Sequence, residues 1–423
     1  MVIKPIATVH WVLLYFMEAK AEVGTMVQEG FDFDKEYGVV LEGGGAKGAY
    51  QIGVWKALLE LGVKIKAVAG VSVGALNGAL ICMGDYEKAV DIWKNISYSS
   101  IMNVDDVEMD KLINLRFKDI NISSVSKQSR KILVSGGLDV TPLKQLLDDN
   151  VDEKKIRESD IEFIMGAFNV SNLKAMEITA KEAEDGYLKD YLMASSSFPL
   201  FKNSKLLGKT YLDGGITNNV PIDMLINRGY KNIIVIRIYG IGVEKKIKIP
   251  EDVNLTYFAP KQPLCNVLEF DRKKAIRNIM LGYYDALRIL KPLAGNDYYI
   301  DTIRSQKSYL ETLISPSEEE MGSLLIPNKP ELHGEVYLRK CLEDAYPQLA
   351  MALKLNKGWK YSELYYAILE YCAKKVRLKK YKLYTEQEFI SVLYERITEH
   401  FKKEDKADNI MQLALSLIKN ILA

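Results

Sequence analysis

Histidine is nearly missing from this chain. Its 423 residues hold three, His10, His333 and His400, and none lies between Tyr37 and Ala294. A nucleophilic hydroxyl in that stretch must take its base from outside it or use a carboxylate. Cysteine is scarce as well. Cys82, Cys265, Cys341 and Cys372 stand far apart and form no C-x-x-C pair. That argues against a disulfide framework or a structural zinc site and for reduced thiols. No apolar run reaches the length of a membrane-spanning helix. Charge of one sign is lacking too: 57 Lys+Arg against 56 Asp+Glu leave +1. Without a global basic field, nucleic acid is not an expected partner. With Gly at 28 and Pro at 12, a collagen-like or mostly disordered chain is excluded.

What is present is apolar residues at 48%, enough for one large domain with an appendage or for two domains. Residues 1–36 read as an N-terminal extension. Lys4 precedes the semi-apolar run Ile6–Met17, and Ala19-Lys20-Ala21 has the form of a signal-peptidase site. His10 interrupts the run and Glu18 sits beside the cut, so the expectation is a short amphipathic segment packed on the body rather than a secretion signal. Cytoplasmic location with peripheral membrane contact follows as the expectation.

From Tyr37 the pattern alternates between strand and helix. Strands are predicted at Tyr37–Glu42, Ile65–Val71, Ile161–Asn169, Ala175–Thr179, Thr210–Leu212 and Asn232–Tyr239. A helix is predicted to Leu61 with Ile52, Trp55, Leu58 and Leu59 on one face, and another over Val73–Met83. Such alternation predicts an α/β fold, a mostly parallel sheet covered by helices on both faces. The catalytic domain is expected over 37–293, a connector rich in Pro, Gly and Ser over 294–330, and an all-helical domain over 331–423. There Thr385 and Glu388 suggest a capping box ahead of Phe389, Ile390, Leu393, Ile397 and Phe401, and Asp408 the cap of a final helix.

Three motifs carry chemistry. Gly43-Gly44-Gly45-Ala46-Lys47-Gly48 follows a strand and opens a helix. Its unobstructed amides at a helix N-terminus suit a phosphate, an oxyanion or a dinucleotide, and a plain tight turn looks the same. Gly70-Val71-Ser72-Val73-Gly74 lies at the next strand-to-helix junction, where G-x-S-x-G forms a nucleophile elbow or a glycine-rich packing turn. Tyr211-Leu212-Asp213-Gly214-Gly215 ends a short apolar run. It delivers an Asp by a tight turn, or is ordinary turn chemistry. The base for Ser72 is then either a carboxylate or His333 reaching back from the connector.

Taken in order, GGGAKG at 43–48, GVSVG at 70–74, ASSSFPLF at 194–201 and DGGITNNVP at 213–221 resemble the patatin-like phospholipase family. The resemblance covers Tyr37 to Tyr239. It implies a three-layer α/β/α patatin-like fold and a lipid acyl hydrolase that cleaves carboxylic esters through an acyl-enzyme. Ser72 would be the nucleophile and Asp213 its proton acceptor, with no histidine, metal or cofactor. Amides of Gly43, Gly44 and Gly45 would form the oxyanion hole. Gly48, Gly70, Gly74, Gly214 and Gly215 would support the motifs. Lys47 fills the family's basic position, as electrostatic support or as a solvated helix start. Glu42 departs from the residue usual there and is not read as catalytic.

The implied partner is a phospholipid or acylglycerol. Phe198, Leu200 and Phe201 either line an acyl pocket or belong to the core, the core being the preferred reading. Aromatics in Tyr361–Cys372 beside the basic segment 374–382 suit an anionic lipid surface, or an amphipathic helix ending in a solvated basic face. Rival readings are a Ser72–Asp213–His333 triad, a catalytically silent lipid-binding protein on the same fold, an acyltransferase and a nucleotide-binding protein.

Overall fold

In a computed structural model of the chain, the residues described are 31–114, 137–199, 201, 205–206, 208–302, 304–317, 334–402 and 408–422. The described residues form two compact units that divide between Leu287 and Arg288.

The first unit is built on one mixed sheet. Its strands are β1 (Glu36–Leu41), β2 (Lys64–Val71), β3 (Glu162–Asn169), β4 (Lys174–Thr179), β5 (Lys205–Leu206), β6 (Lys209–Asp213), β7 (Asn232–Ile236) and β8 (Asn254–Phe258). The order is β5-β6-β3-β2-β1-β7-β8, with β4 also paired to β3. The run β3-β2-β1-β7-β8 is parallel throughout, and β4, β5 and β6 join antiparallel. The parallel strands read as near-continuous Val, Ile and Ala because both faces are covered. Val39, Val40, Leu41, Val68, Ala69, Ile233, Ile234 and Val235 are all inaccessible to solvent. The predicted strands lie where expected, within a residue or three at their ends. β8 was not foreseen, since Asn254-Leu-Thr-Tyr-Phe alternates only weakly. On the helix Ala49–Glu60, Ile52, Trp55 and Leu58 are buried but Leu59 faces solvent.

β3 acts as a ruler for the site. β4 occupies one of its edges along Ile164–Asn169. On the other edge β2 pairs as far as Val71 opposite Gly166, and β6 takes over with Asp213 opposite Ala167. Successive residues of β3 therefore bring the end of β2, where Ser72 begins its turn, beside the end of β6, which carries Asp213.

The second unit corrects two expectations. The segment 294–330 is not a connector in its described part. Tyr298, Ile300, Tyr309 and Leu313 are buried in one core with Leu364, Ile368, Leu369, Phe389 and Leu417. Nor is the region all-helical: β10 (Leu383–Thr385) pairs in parallel with β9 (Tyr299–Asp301). The helices Gln306–Leu313, Tyr361–Lys375, Glu386–Phe401 and Asn409–Leu422 complete the unit. Thr385 caps its helix by accepting the Glu388 amide, but the Glu388 carboxylate pairs with Lys382 instead of closing the box. Asp408 accepts the Ile410 amide at 2.8 Å, capping the last helix as expected.

Charge pairing runs through the basic segment. Lys374 and Lys380 both pair with Asp297, Lys375 with Asp408 and Lys382 with Glu388. Intramolecular carboxylates thus take up much of the charge that suggested a lipid surface. No described helix is long and apolar enough to cross a membrane.

Candidate active site

Ser72 stands between β2 and the helix Val73–Met83 with φ 53° and ψ −131°. A non-glycine residue with this backbone is strained, and its neighbours must hold it there. The flanking glycines permit the bend. A Cβ on Gly74 would lie 2.2 Å from the Leu41 carbonyl oxygen, and one on Gly70 would lie 2.4 Å from Gly74 backbone atoms. The Ser195 hydroxyl ties the bend down. It accepts from the Ser72 amide at 3.1 Å and donates to the Gly166 carbonyl at 2.6 Å. Ser195 lies in the ASSSFPLF segment at 194–201, yet nothing in the sequence separates it from Ser196 and Ser197. Ser195→Ala leaves two buried backbone groups unpaired, at about 1–3 kcal/mol. Equilibrium urea unfolding should read that loss, and an esterase assay a fall of about tenfold or more in turnover as the elbow slackens.

Asp213 is buried and lines the same cavity as Ser72, whose hydroxyl favours its ionised carboxylate. Oδ1 also accepts from the Gly215 amide at 2.8 Å, and the Asp213 amide donates to the Ser197 carbonyl at 2.9 Å. Gly214 closes the turn because a Cβ there would meet the Gly166 carbonyl at 2.5 Å. Burial pushes the Asp213 carboxyl up to about 6, against the opposing pull of the Ser72 hydroxyl and the Gly215 amide. The sequence led us to expect an ordinary acid near 3.9; removal from water makes it a stronger base.

The glycine loop divides its amides unequally. The Gly43 amide donates to the Asn219 carbonyl at 3.2 Å and that of Ala46 to the Val267 carbonyl at 2.8 Å. Gly43 is therefore not an oxyanion donor, against expectation: its N–H is spent on holding the loop. Gly44 and Gly45 line the same cavity as Ser72 and Asp213, and no hydrogen bond from their amides is seen among the described residues. Gly45 has φ +53°, and a Cβ there would meet the Val267 carbonyl at 2.2 Å. Gly48 precedes the helix Ala49–Glu60 and accepts from Asn77.

Lys47 does not reach into the cavity. Its Nζ donates to the Tyr239 carbonyl, and burial pulls the amine below the ordinary lysine range, partly offset by Glu42. Glu42 is the larger surprise. It is 2% exposed, pairs with Arg237 at 2.9 Å and accepts the amides of Ile238, Tyr239 and Gly240 at 2.6, 3.0 and 3.0 Å. It clamps this segment to the glycine loop. A buried chain also underlies the site. Trp93 donates to Asn77, Asn77 to Gln51, and Gln51 to the Glu42 carbonyl. A clue existed, since Asn77 and Gln51 interrupt otherwise apolar or small helix faces.

The cavity measures about 970 Å³, its open mouth included, and its walls are mainly apolar: Leu76, Leu80, Trp93, Leu147 and Phe270 among them. Phe198 and Phe201 line it too, so they are pocket residues rather than mere core; Leu200 lies outside the described residues. So do His333, the run Ile6–Met17 and Ala19-Lys20-Ala21.

A strained serine sharing an apolar cavity with a buried carboxylate, beside glycine amides that form no other hydrogen bond among the described residues, is the arrangement of a serine ester hydrolase. The comparisons with known proteins sharpen the class. Residues 39–226 match the family model of the patatin-like phospholipases. Neuropathy target esterase sws of Drosophila melanogaster is 25% identical over 286 residues, which cover 67% of this chain and 18% of that protein. The patatin-like phospholipase domain-containing protein ZK370.4 of Caenorhabditis elegans is 28% identical over 202 residues, covering 47% and 13% respectively. The chain thus spans less than a fifth of the length of these curated relatives. Among solved structures, VipD from Legionella pneumophila aligns with a TM-score of 0.36 and 14% identity, over 91% of this chain and 84% of that one. So loose a likeness carries no argument.

Proposed function

We propose that the chain is a lipid acyl hydrolase working through Ser72 and Asp213. The observation that carries this reading is Ser72, strained at its bend, sharing the wall of an apolar cavity with Asp213, a buried carboxylate whose basicity burial has raised. Ser72 Oγ attacks the ester carbonyl carbon as its proton passes to Asp213. The carbonyl oxygen takes the negative charge against the amides of Gly44 and Gly45, each such donor being worth about 3–4 kcal/mol. The first amides of the helix Val73–Met83, which have no intrahelical partner, add to that field. Collapse expels the alcohol, which takes the proton from Asp213. Water then gives a proton to the same carboxylate and attacks the acyl-enzyme; as the acyl–Oγ bond breaks, Asp213 returns that proton to Ser72 and the fatty acid leaves. The apolar walls hold the acyl chain.

With Asp213 near 6, kcat/KM should be flat above neutrality and fall about tenfold per pH unit well below 6. A histidine base would give almost the same profile, so the pH test suggested by the sequence no longer separates a dyad from a triad. The His333→Ala substitution does. It should retain turnover, since a carboxylate that takes the Ser72 proton directly needs no intermediary. The overall reading is tested by product mass spectrometry on a phospholipid and acylglycerol panel. Fatty acid release by the native chain and none by Ser72→Ala is expected. Release unaffected by Ser72→Ala would refute it.

A further inference from the structure

The segment 239–243 forms one side of the cavity mouth in an unusual way. Tyr239, Ile241 and Val243 are 40%, 37% and 44% exposed, and Ile241 also lines the cavity. The backbone between them is fixed from within. Glu42 takes the Tyr239 and Gly240 amides, a Cβ on Gly242 would strike Asn219, and Val243 bonds Gly215 and Asn219 through its main chain. Three large apolar side chains are thereby held outward at alternate positions on a fixed support. Half-buried Val267, Leu268 and Phe198 continue the apolar lining inward. Exposed Lys245, Lys246 and Lys248 follow directly. Lys245 pairs with Asp223, whereas Lys246 and Lys248 form no ion pair among the described residues.

We infer that residues 239–248 are a lipid-docking edge for an anionic bilayer: Tyr239, Ile241 and Val243 enter the headgroup boundary while Lys246 and Lys248 rest on anionic headgroups. The inference rests on reading the cavity as an acyl site. Its commitment to a bilayer comes from continuity and charge. The outward apolar row runs into the cavity at Ile241, so an acyl chain leaving the bilayer meets no aqueous gap. Two unpaired cations lie beside it, as an anionic surface requires. The basic segment 374–382, first suggested by the sequence for this role, spends four of its lysines on Asp297, Asp408 and Glu388 instead.

Phosphatidylcholine vesicles with and without phosphatidylglycerol, together with a water-soluble short-chain ester, test this in the full chain. The double variant Tyr239→Asn/Val243→Asn should partition onto the anionic vesicles about tenfold more weakly. Lys246→Glu/Lys248→Glu should lose the preference for phosphatidylglycerol, and both variants should hydrolyse the soluble ester at the native rate. Trp emission from Tyr239→Trp should shift to the blue on anionic vesicles. Native-like partitioning by both double variants, or an unshifted emission, overturns the docking edge. Ser72→Ala separates the two readings. If the soluble ester is never hydrolysed but Ser72→Ala still binds vesicles through this edge, the hydrolase fails and the edge stands. If the soluble ester is hydrolysed by the native chain and vesicles are not bound, the edge fails and the hydrolase stands.

Discussion

Asp213→Asn should destroy turnover and make the protein more stable at neutral pH. The two effects share one cause. An ionised carboxylate held away from water is a good base and a poor structural element. On the proposed mechanism the substitution removes the proton acceptor, and a loss of about 10⁴-fold in kcat is expected. For stability the sign follows from proton linkage. In the unfolded chain Asp213 titrates near 3.9, in the folded one at about 6. Between those values the folded state holds the proton and the unfolded state does not. The native protein therefore loses stability relative to the Asn variant as pH rises through this window, and the loss is complete above 6. Two units correspond to about 2–3 kcal/mol. Urea unfolding of both proteins at neutral pH and near pH 4 should show the Asn variant ahead by that amount in the first case and level in the second. Equal stability at both pH values would mean that Asp213 is not held in the charged, desolvated state the mechanism needs.

Glu42→Ala is expected to cost more stability than any other change near the site. The substitution strips the Arg237 guanidinium of its buried carboxylate, leaving the exposed Glu244 as its ion-pair partner, and strands the three amides of Ile238, Tyr239 and Gly240. Breaking a buried ion pair from one side typically costs 3–5 kcal/mol, about the range expected here. The damage should reach catalysis as well. Gly240 packs so closely on the glycine loop that a Cβ would come within 1.8 Å of the Gly43 carbonyl oxygen. Freeing residues 238–240 slackens the loop that presents the Gly44 and Gly45 amides. Glu42→Gln keeps one acceptor oxygen and should do less harm on both counts. Denaturation midpoints and esterase rates for the pair check this. If Glu42→Ala unfolds at the native midpoint, the clamp is not structural.

The sheet was legible because buried parallel strands announce themselves as short Val/Ile runs between glycine turns, as in Tyr37–Glu42 and Asn232–Ile236. The elbow was legible because a strained serine needs small neighbours at fixed spacing, and Gly70 and Gly74 stand at that spacing. Long-range partnership was not. That Glu42 grips residues 237–240, or that the Ser195 hydroxyl bridges Ser72 and Gly166, depends on β1 and β7 lying side by side and on β3 changing neighbours at Gly166. No local pattern encodes either. The Gly43 amide looked equivalent to those of Gly44 and Gly45 until Asn219 claimed it. The rise in Asp213 is likewise a property of burial, invisible in Asp-Gly-Gly. In the second unit, β9 and β10 are too short to show a period, and Tyr298 to Leu313 looked like a connector because Pro and Gly surround them.

The most direct test of the dyad is the pH dependence of Ser72 phosphonylation by a long-chain alkyl fluorophosphonate, read by peptide mass spectrometry. Modification should fall on Ser72, proceed at half its maximal rate near pH 6, and become negligible in Asp213→Asn at every pH where that variant is folded. A phosphonylated residue other than Ser72, or a Ser72 rate indifferent to the loss of Asp213, would contradict it.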